Sequence, residues 1–256
     1  MVDVSVIGCG NMGGALVRGL VTAGYENITV YDVDPAALET VASFDVQTTT
    51  DPSDATDADL IFLVIKPALV GPVLEELDIG QEKTVVSIAA GVSTDVVANH
   101  TDAAVVRLMP NLAAEWGEMA GAVTGDTIND EVIAALDAIG EVVELDEQQM
   151  HTATAVNGSG PAFVFYLIKA MQDAGIAQGL APSEARILAA QTFKGAAETV
   201  LQSDESIESL IDAVCSPKGT TIEGMAVLED SDIAETITEA VVAAEQRAEE
   251  LAEEVQ

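Results

Sequence analysis

The chain has 256 residues, enough for one large or two modest domains with a sizeable core. Hydrophobic residues make up 49% of it, which excludes a disordered chain, and nine Lys and Arg face 44 Asp and Glu for a net charge of −35. That balance argues against a nucleic-acid binder, which needs a basic face, and against docking on an anionic membrane.

The first half alternates short apolar runs with helical patterns. Val2–Gly8 reads as a strand that starts without a basic leader, so no signal peptide is expected. Met12–Ala23 predicts a helix, Ile28–Asp32 a second strand, and Pro35–Ser43 another helix. Leu60–Ile65 is continuously apolar, as in a strand buried on both faces; Thr84–Ala89 and Ala104–Met109 read the same way. Ala120–Thr124 and Glu141–Leu145 flank a helical stretch, Asn129–Ile139, and extend the sheet. Strands and helices alternating at this spacing predict an α/β, doubly wound parallel sheet.

From about His151 no strand is expected. Phe163–Ala174, Ser183–Gln202, Ile207–Val214 and Ile233–Val255 carry helical periodicity, and Pro182-Ser183-Glu184 is a good helix start. The change falls near Gln148–Thr152, which divides the chain into residues 1–150 and an all-α region, 151–256. Phe163, Val164, Leu167, Ile168 and Met171 cover more than one helix face, so that helix must be buried in its own domain or against another subunit.

Acid dominates both halves: 26 acids against 4 bases in residues 1–150, and 18 against 5 in 151–256. This is an acidic surface rather than an acidic tail. It suits a cytoplasm of molar salt, where the Debye length falls to about 3 Å and self-repulsion is screened. An ordinary acidic protein is the plainer alternative. No apolar run reaches about 18 residues, so no bilayer span is expected. Cys9 and Cys215 make no disulfide framework, and a reducing cytoplasm is the simplest location. His100 and His151 lack neighbours at metal-ligand spacing, so no metal site is expected.

Gly8-Cys9-Gly10-Asn11-Met12-Gly13 fits G-x-G-x-x-G, and it follows a strand and opens a helix. Gly8 permits the tight turn, Gly10 lets a pyrophosphate approach the backbone, and Gly13 allows close helix–strand packing. The helix start supplies free N–H groups for phosphates, with Asn11 and Met12 in its first turn. Cys9 reads as a small loop residue rather than a nucleophile. Asp32, 19 residues after Gly13, ends the second strand; an acid there accepts from the adenosine ribose and favours NADH. Lys66 follows the strand Leu60–Ile65 at the edge where ligands of such sheets bind, and faces either cofactor phosphates or a substrate carboxylate. Asn111 ends a further strand at the same edge, placed to contact nicotinamide or ribose or to serve as a turn residue.

Two loops of the second half are unusual. Asn157-Gly158-Ser159-Gly160-Pro161-Ala162 precedes an apolar helix, with Ser159 as a plausible cap. Cys215-Ser216-Pro217-Lys218-Gly219-Thr220-Thr221 leads into Ile222–Leu228. The N–H groups of Gly219 and Thr220, with the hydroxyls of Ser216 and Thr221, are suited to a carboxylate. Either loop alone reads sooner as a capped interhelical turn than as a ligand site.

Taken together and in order, the Gly8–Gly13 loop, Phe62–Pro67, Ala89–Val92, Arg107–Asn111, Gly158–Phe163 and Ser216–Thr221 resemble the pyrroline-5-carboxylate reductase family over nearly the whole chain. The resemblance implies a Rossmann domain followed by a helical dimerisation domain, active sites shared between subunits, and reduction of 1-pyrroline-5-carboxylate to L-proline. It implies NADPH, which the family often uses, so NADPH and NADH both stay open beside Asp32. It further implies that Ser216, Gly219, Thr220 and Thr221 bind the substrate carboxylate, with Thr221 near the ring nitrogen as the catalytic side chain. Three positions depart from the family pattern: Asn157 and Lys218 stand where Ser and Gly are usual, and Ala113 where many members have Pro. A lysine at 218 would aid carboxylate binding but is disfavoured at positive φ.

Two other functions fit the plan less well. A 3-hydroxyacid dehydrogenase needs a catalytic lysine about a turn after the glycines, yet Val164 and Phe165 stand there and Lys169 lies nine residues past Gly160. A non-catalytic sensor of nucleotide redox state would leave the Ser216–Thr221 loop without purpose.

Overall fold

The computed structural model describes residues 2–254. In chain order the first half runs β1 (Val4–Ile7), α1 (Asn11–Thr22), β2 (Ile28–Tyr31), α2 (Pro35–Leu38), β3 (Gln47–Thr49), β4 (Leu60–Leu63), α3 (Val70–Glu76), β5 (Thr84–Ser87), α4 (Thr94–Ala98), β6 (Ala104–Met109), β7 (Met119–Gly125), α5 (Asp130–Asp137) and β8 (Gly140–Glu144). The eight strands form one sheet in the order β3-β2-β1-β4-β5-β6-β7-β8. The first six are parallel; β7 runs antiparallel to β6, and β8 is parallel to β7. Strand order reverses between β1 and β4, so the crevice at their carboxyl ends is where this architecture binds ligands.

Alternation explains how a continuously apolar strand is used. On β4, Leu60 and Phe62 join the core with Leu16, Leu20, Leu136 and Ile139, while Ile61 and Leu63 join Val70, Leu74 and Val97 on the other face. Each strand thus serves two helix layers, α1 and α5 on one side and α3 and α4 on the other.

Several expected boundaries move. The helix expected over Pro35–Ser43 stops at Leu38, because Thr40 turns its hydroxyl back onto the Ala37 carbonyl (2.7 Å) and competes with the helix ladder. The structure adds β3, a three-residue polar edge strand without an apolar period, and the short helices α3 and α4. Ala104–Met109 keeps its expected limits.

The second half holds α6 (Met150–Ala153), a π-helical turn (Thr154–Gly158), α7 (Gly160–Ala177), α8 (Pro182–Gln202), α9 (Ile207–Val214), α10 (Thr220–Glu229) and α11 (Ile233–Glu253). The helix expected over Ile233–Val255 is present through Glu253; Val255 lies outside the described residues. Two compact units result. Gly160–Val241 is one; the chain up to Ser159, rejoined from Val242, is the other.

Within the first unit the end of α11 returns to the sheet. Ala248 and Ala252 are buried there. A Cβ on Gly91, which sits at φ +77°, would lie 3.0 Å from the Ala252 Cα, so two small residues set this approach. In the second unit, α7 and α8 form a hairpin in which Gly175 faces Leu180 and Ala185. Among the described residues of α7 none is buried: Phe165 and Tyr166 are 68% and 74% exposed. One chain therefore does not supply the burial that this helix's composition demands.

A charged group lies in the sheet itself. Arg107 on β6 is 2% exposed and pairs through Nη1 with Glu147 Oε1; Glu147 Oε2 accepts from Thr94 Oγ1 (3.1 Å). Ser87 and Thr124, in register with Arg107 on the neighbouring strands, are also buried. Removing the carboxylate would leave a buried guanidinium uncompensated. Glu147→Ala should therefore cost about 3 kcal/mol, lowering Tm by roughly 8 °C in a thermal melt, and Arg107→Met in that background should recover part of the loss.

Candidate active site

Three backbones meet at the end of β1. A Cβ on Gly8 (φ +102°) would lie 2.2 Å from the Val64 carbonyl oxygen, and one on Gly13 would lie 2.0 Å from the Gly8 carbonyl oxygen. Gly10 differs: a Cβ there would meet nothing within 4 Å. The first and last glycines of the motif are thus required by the protein's own packing, while the middle one faces open space. Gly10 is the N-cap of α1, no side chain caps that helix, and no acid stands in its first turn. In a chain of net charge −35 this start keeps its N–H groups and partial positive charge for an anion. Asn11 and Met12 open the helix beside it.

Asp32 closes the same loop. Its Oδ2 accepts from the Cys9 N–H (2.7 Å) and its Oδ1 from the Asp34 N–H (2.9 Å). The carboxylate is held at the carboxyl end of β2 and remains partly exposed, with lone pairs left for a further donor. Cys9 is buried, 3.7 Å from Thr40 Oγ1, and burial, with the nearby Asp32 charge, raises its pKa above the usual thiol value despite the Thr40 and Arg18 contributions. It lacks the character of a nucleophile. The residues present therefore fit a dinucleotide.

Lys66 lies just past β4, exposed, and its ammonium has no partner among the described residues. Asn111 is different. Its Oδ1 accepts from the Ala113 N–H (3.1 Å), capping a short 3-10 turn, and its Nδ2 donates to the Asn157 carbonyl (3.1 Å). Both ends of the amide are engaged within the protein. Asn157 returns the contact, with Nδ2 donating to the carbonyls of Met109 (2.7 Å) and Ala120 (2.8 Å).

In the second unit, α10 repeats the glycine-start pattern: Gly219 is its N-cap, with no side-chain cap. The Gly219 N–H donates to the Ser216 carbonyl (2.9 Å), and a Cβ on Gly219 would lie 2.3 Å from Ser216 Oγ. The hydroxyls of Thr220 and Thr221 have no partner among the described residues, and both side chains are exposed. Lys218 sits at φ +62°, the only non-glycine residue with positive φ among those described. Lys169, the base that a hydroxyacid dehydrogenase would need, is instead paired with Asp173 on an exposed helix face.

Two polar arrangements are not evident from the sequence: the Arg107–Glu147 pair and the Asn111–Asn157 contact. An arginine inside the apolar run Ala104–Met109 was the available signal for the first. For the second it was the amide at position 157, where Ser is usual in the resembling family. A cavity of about 460 Å³ lined by Asp3, Glu26, Asp45, Asp54 and Asp57 lies at the amino ends of the strands, the wrong edge for ligands of this architecture. Among the described residues no group of three or more His, Cys, Asp and Glu is placed to hold a metal, and no helix is long and apolar enough to cross a membrane.

The doubly wound sheet, its glycine loop and the fixed acid after β2 define a dinucleotide-dependent oxidoreductase with a helical second domain. Residues 147–251 match the family model for pyrroline-5-carboxylate reductase dimerisation, and residues 3–91 match that for coenzyme F420-dependent NADP oxidoreductases. The chain is 38% identical to the pyrroline-5-carboxylate reductase of Methanosarcina acetivorans and 34% identical to that of Escherichia coli, each match covering 97% of both chains. Its fold matches the Coxiella burnetii pyrroline-5-carboxylate reductase at TM-score 0.88 and 31% identity, covering 98% of both chains. The Plasmodium falciparum pyrroline carboxylate reductase with NADP bound matches at TM-score 0.83 and 26% identity, also over 98% of each. This chain belongs to the pyrroline-5-carboxylate reductase family.

The left-handed backbone at Lys218 has a measurable cost. Lys218→Gly should be about 1 kcal/mol more stable than Lys218→Ala, because only glycine takes that φ without strain; paired thermal melts read the difference.

Proposed function

We propose that this protein reduces 1-pyrroline-5-carboxylate to L-proline with NADPH or NADH, the last step of proline biosynthesis, as a cytoplasmic homodimer. The observation that carries the reading is the match to reductases of that name over 97% of the chain. The geometry supports it through two helices that begin on uncapped glycines, one for each anion the reaction must hold.

The bound nicotinamide supplies the hydride. The protein supplies placement. The α1 start takes the pyrophosphate at Gly8, Gly10, Asn11, Met12 and Gly13, and Asp32 takes the adenosine ribose. Lys66 adds a cation at the same edge. Ser216, Gly219 and Thr220 take the substrate carboxylate, and Thr221 polarises the ring nitrogen by a hydrogen bond. A protonated cyclic imine accepts hydride without a strong base, so orientation and electrostatics suffice. Asn111 acts here through the backbone it fixes, since its amide is committed to Ala113 and Asn157.

Asp32 favours NADH. Its carboxylate is tethered to the glycine loop, and it would repel a 2′-phosphate. The exposed apolar residues of α7 and α8, Phe165, Tyr166, Ile187 and Leu188 among them, support a dimer interface on the second unit. The net charge of −35 supports adaptation to concentrated salt.

Incubation with pyrroline-5-carboxylate and either cofactor should give loss of nicotinamide absorbance and formation of proline. NADH should have the higher kcat/KM, and Asp32→Ser should shift the NADPH/NADH ratio of kcat/KM upward by about tenfold or more. Absence of proline with both cofactors rejects the activity; an unchanged ratio rejects the role of Asp32. Thermal melts should show Tm rising from about 0.1 M to about 2 M KCl as screening removes self-repulsion, and a flat profile rejects the salt adaptation.

A further inference from the structure

The β6–β7 pair opens just where the chain reaches the ligand edge of the sheet. The last paired residues are Met109 and Ala122; continuing the register would set Pro110 opposite Gly121 and Asn111 opposite Ala120. Pro110 has no N–H to give, and Asn111 turns away to cap the following 3-10 turn. The carbonyls of Met109 and Ala120 are instead both satisfied by the two N–H groups of one side chain, Asn157 Nδ2. Asn111 Nδ2 answers with a hydrogen bond to the Asn157 carbonyl. Exchanging oxygen and nitrogen in the Asn157 amide would aim oxygen at two carbonyls, so its orientation is determined. Its Oδ1 is buried without a donor, a cost accepted for the double donation.

The segment that carries Asn157 is the π-helical turn between α6 and α7, closed by the Ser159 N–H to the Thr154 carbonyl. Such bulges re-aim one side chain out of a helical run. Here the re-aimed side chain is the wedge, and serine, with one hydroxyl donor, could serve only one of the two carbonyls at a time.

We propose that Asn157 is a positioning residue of the reductase, a wedge that fixes the split end of β6 and β7 as a rigid wall beside the nicotinamide half of the cofactor. The inference rests on the cofactor reading above: with the adenosine ribose at Asp32 after β2 and the pyrophosphate at the α1 start, the nicotinamide half extends over the ends of the later strands. Asn157 touches neither cofactor nor substrate in this role. It acts through Met109, Asn111 and Ala120.

The test is Asn157→Ala with Asn157→Ser beside it, assayed in the full-length enzyme. Asn157→Ala should lower kcat by between about tenfold and about a hundredfold, because loosened placement slows hydride transfer. The affinity for ADP-ribose, which probes only the adenosine half, should stay within about twofold of the wild type. Asn157→Ser should restore part of kcat. A general loss of structure would weaken ADP-ribose binding along with turnover in both variants, and that result overturns the proposal. So does a wild-type kcat in Asn157→Ala. If the wild type fails to bind ADP-ribose, the cofactor reading falls, and the wedge's assigned role falls with it.

Discussion

The close approach of three backbones at Gly8, Gly13 and Val64 is the constraint on which the rest depends. It leaves no room for a single methyl group at either glycine, yet leaves Gly10 open. That asymmetry aims α1 with its first turn bare at the carboxyl edge of the sheet. The same helix is held at its far end by a second backbone approach, Gly19 against the Ala114 carbonyl, and by the Arg18–Glu115 ion pair at 3.0 Å. The glycine loop and the turn that follows Asn111 are therefore referenced to one rigid rod. Preorganisation here comes from steric exclusion more than from strong polar contacts.

The sequence made the α/β half legible because its strands are buried on both faces. Leu60–Leu63 is apolar throughout and Ala104–Met109 apolar but for Arg107, runs that suit a sheet covered on both faces. Gln47–Thr49 escaped notice for the converse reason: it is a polar edge strand whose membership is decided by its neighbour. The glycine loop was legible because spacing and context coincide there. The Asn111–Asn157 contact was not, since its partners lie 46 residues apart and the π-helical turn that aims Asn157 leaves no periodic trace. Arg107 was visible as an oddity within β6, but its partner Glu147 is one acid among 44.

The acidity and the anionic ligands pull against each other, and the fold settles the conflict locally. Four helix starts carry a side-chain cap: Asp34 for α2, Ser93 for α4, Asn129 for α5, Ser206 for α9. The starts of α1 and α10 carry glycine instead. A helix start whose N–H groups are already answered by a carboxylate or hydroxyl has little left for a phosphate or a carboxyl group. The start of α1 is a neutral opening in a negative surface, whereas α10 carries Glu223 in its first turn. Lys66 and Lys218 stand beside these two starts among only nine bases in the chain.

The return of α11 to the first unit has a consequence for biosynthesis. The loop after β5 is covered at Gly91 by Ala252, which follows it by 161 residues (252 less 91). A ribosome therefore makes the whole sheet, and the helices of the second unit, before it makes the residues that close over that loop. The nascent sheet waits with this surface uncovered until α11 has been made, so the first unit is completed only after the second has been synthesised. The exposed turn at Asp204–Glu205, between α8 and α9, offers an insertion site remote in sequence from that closure.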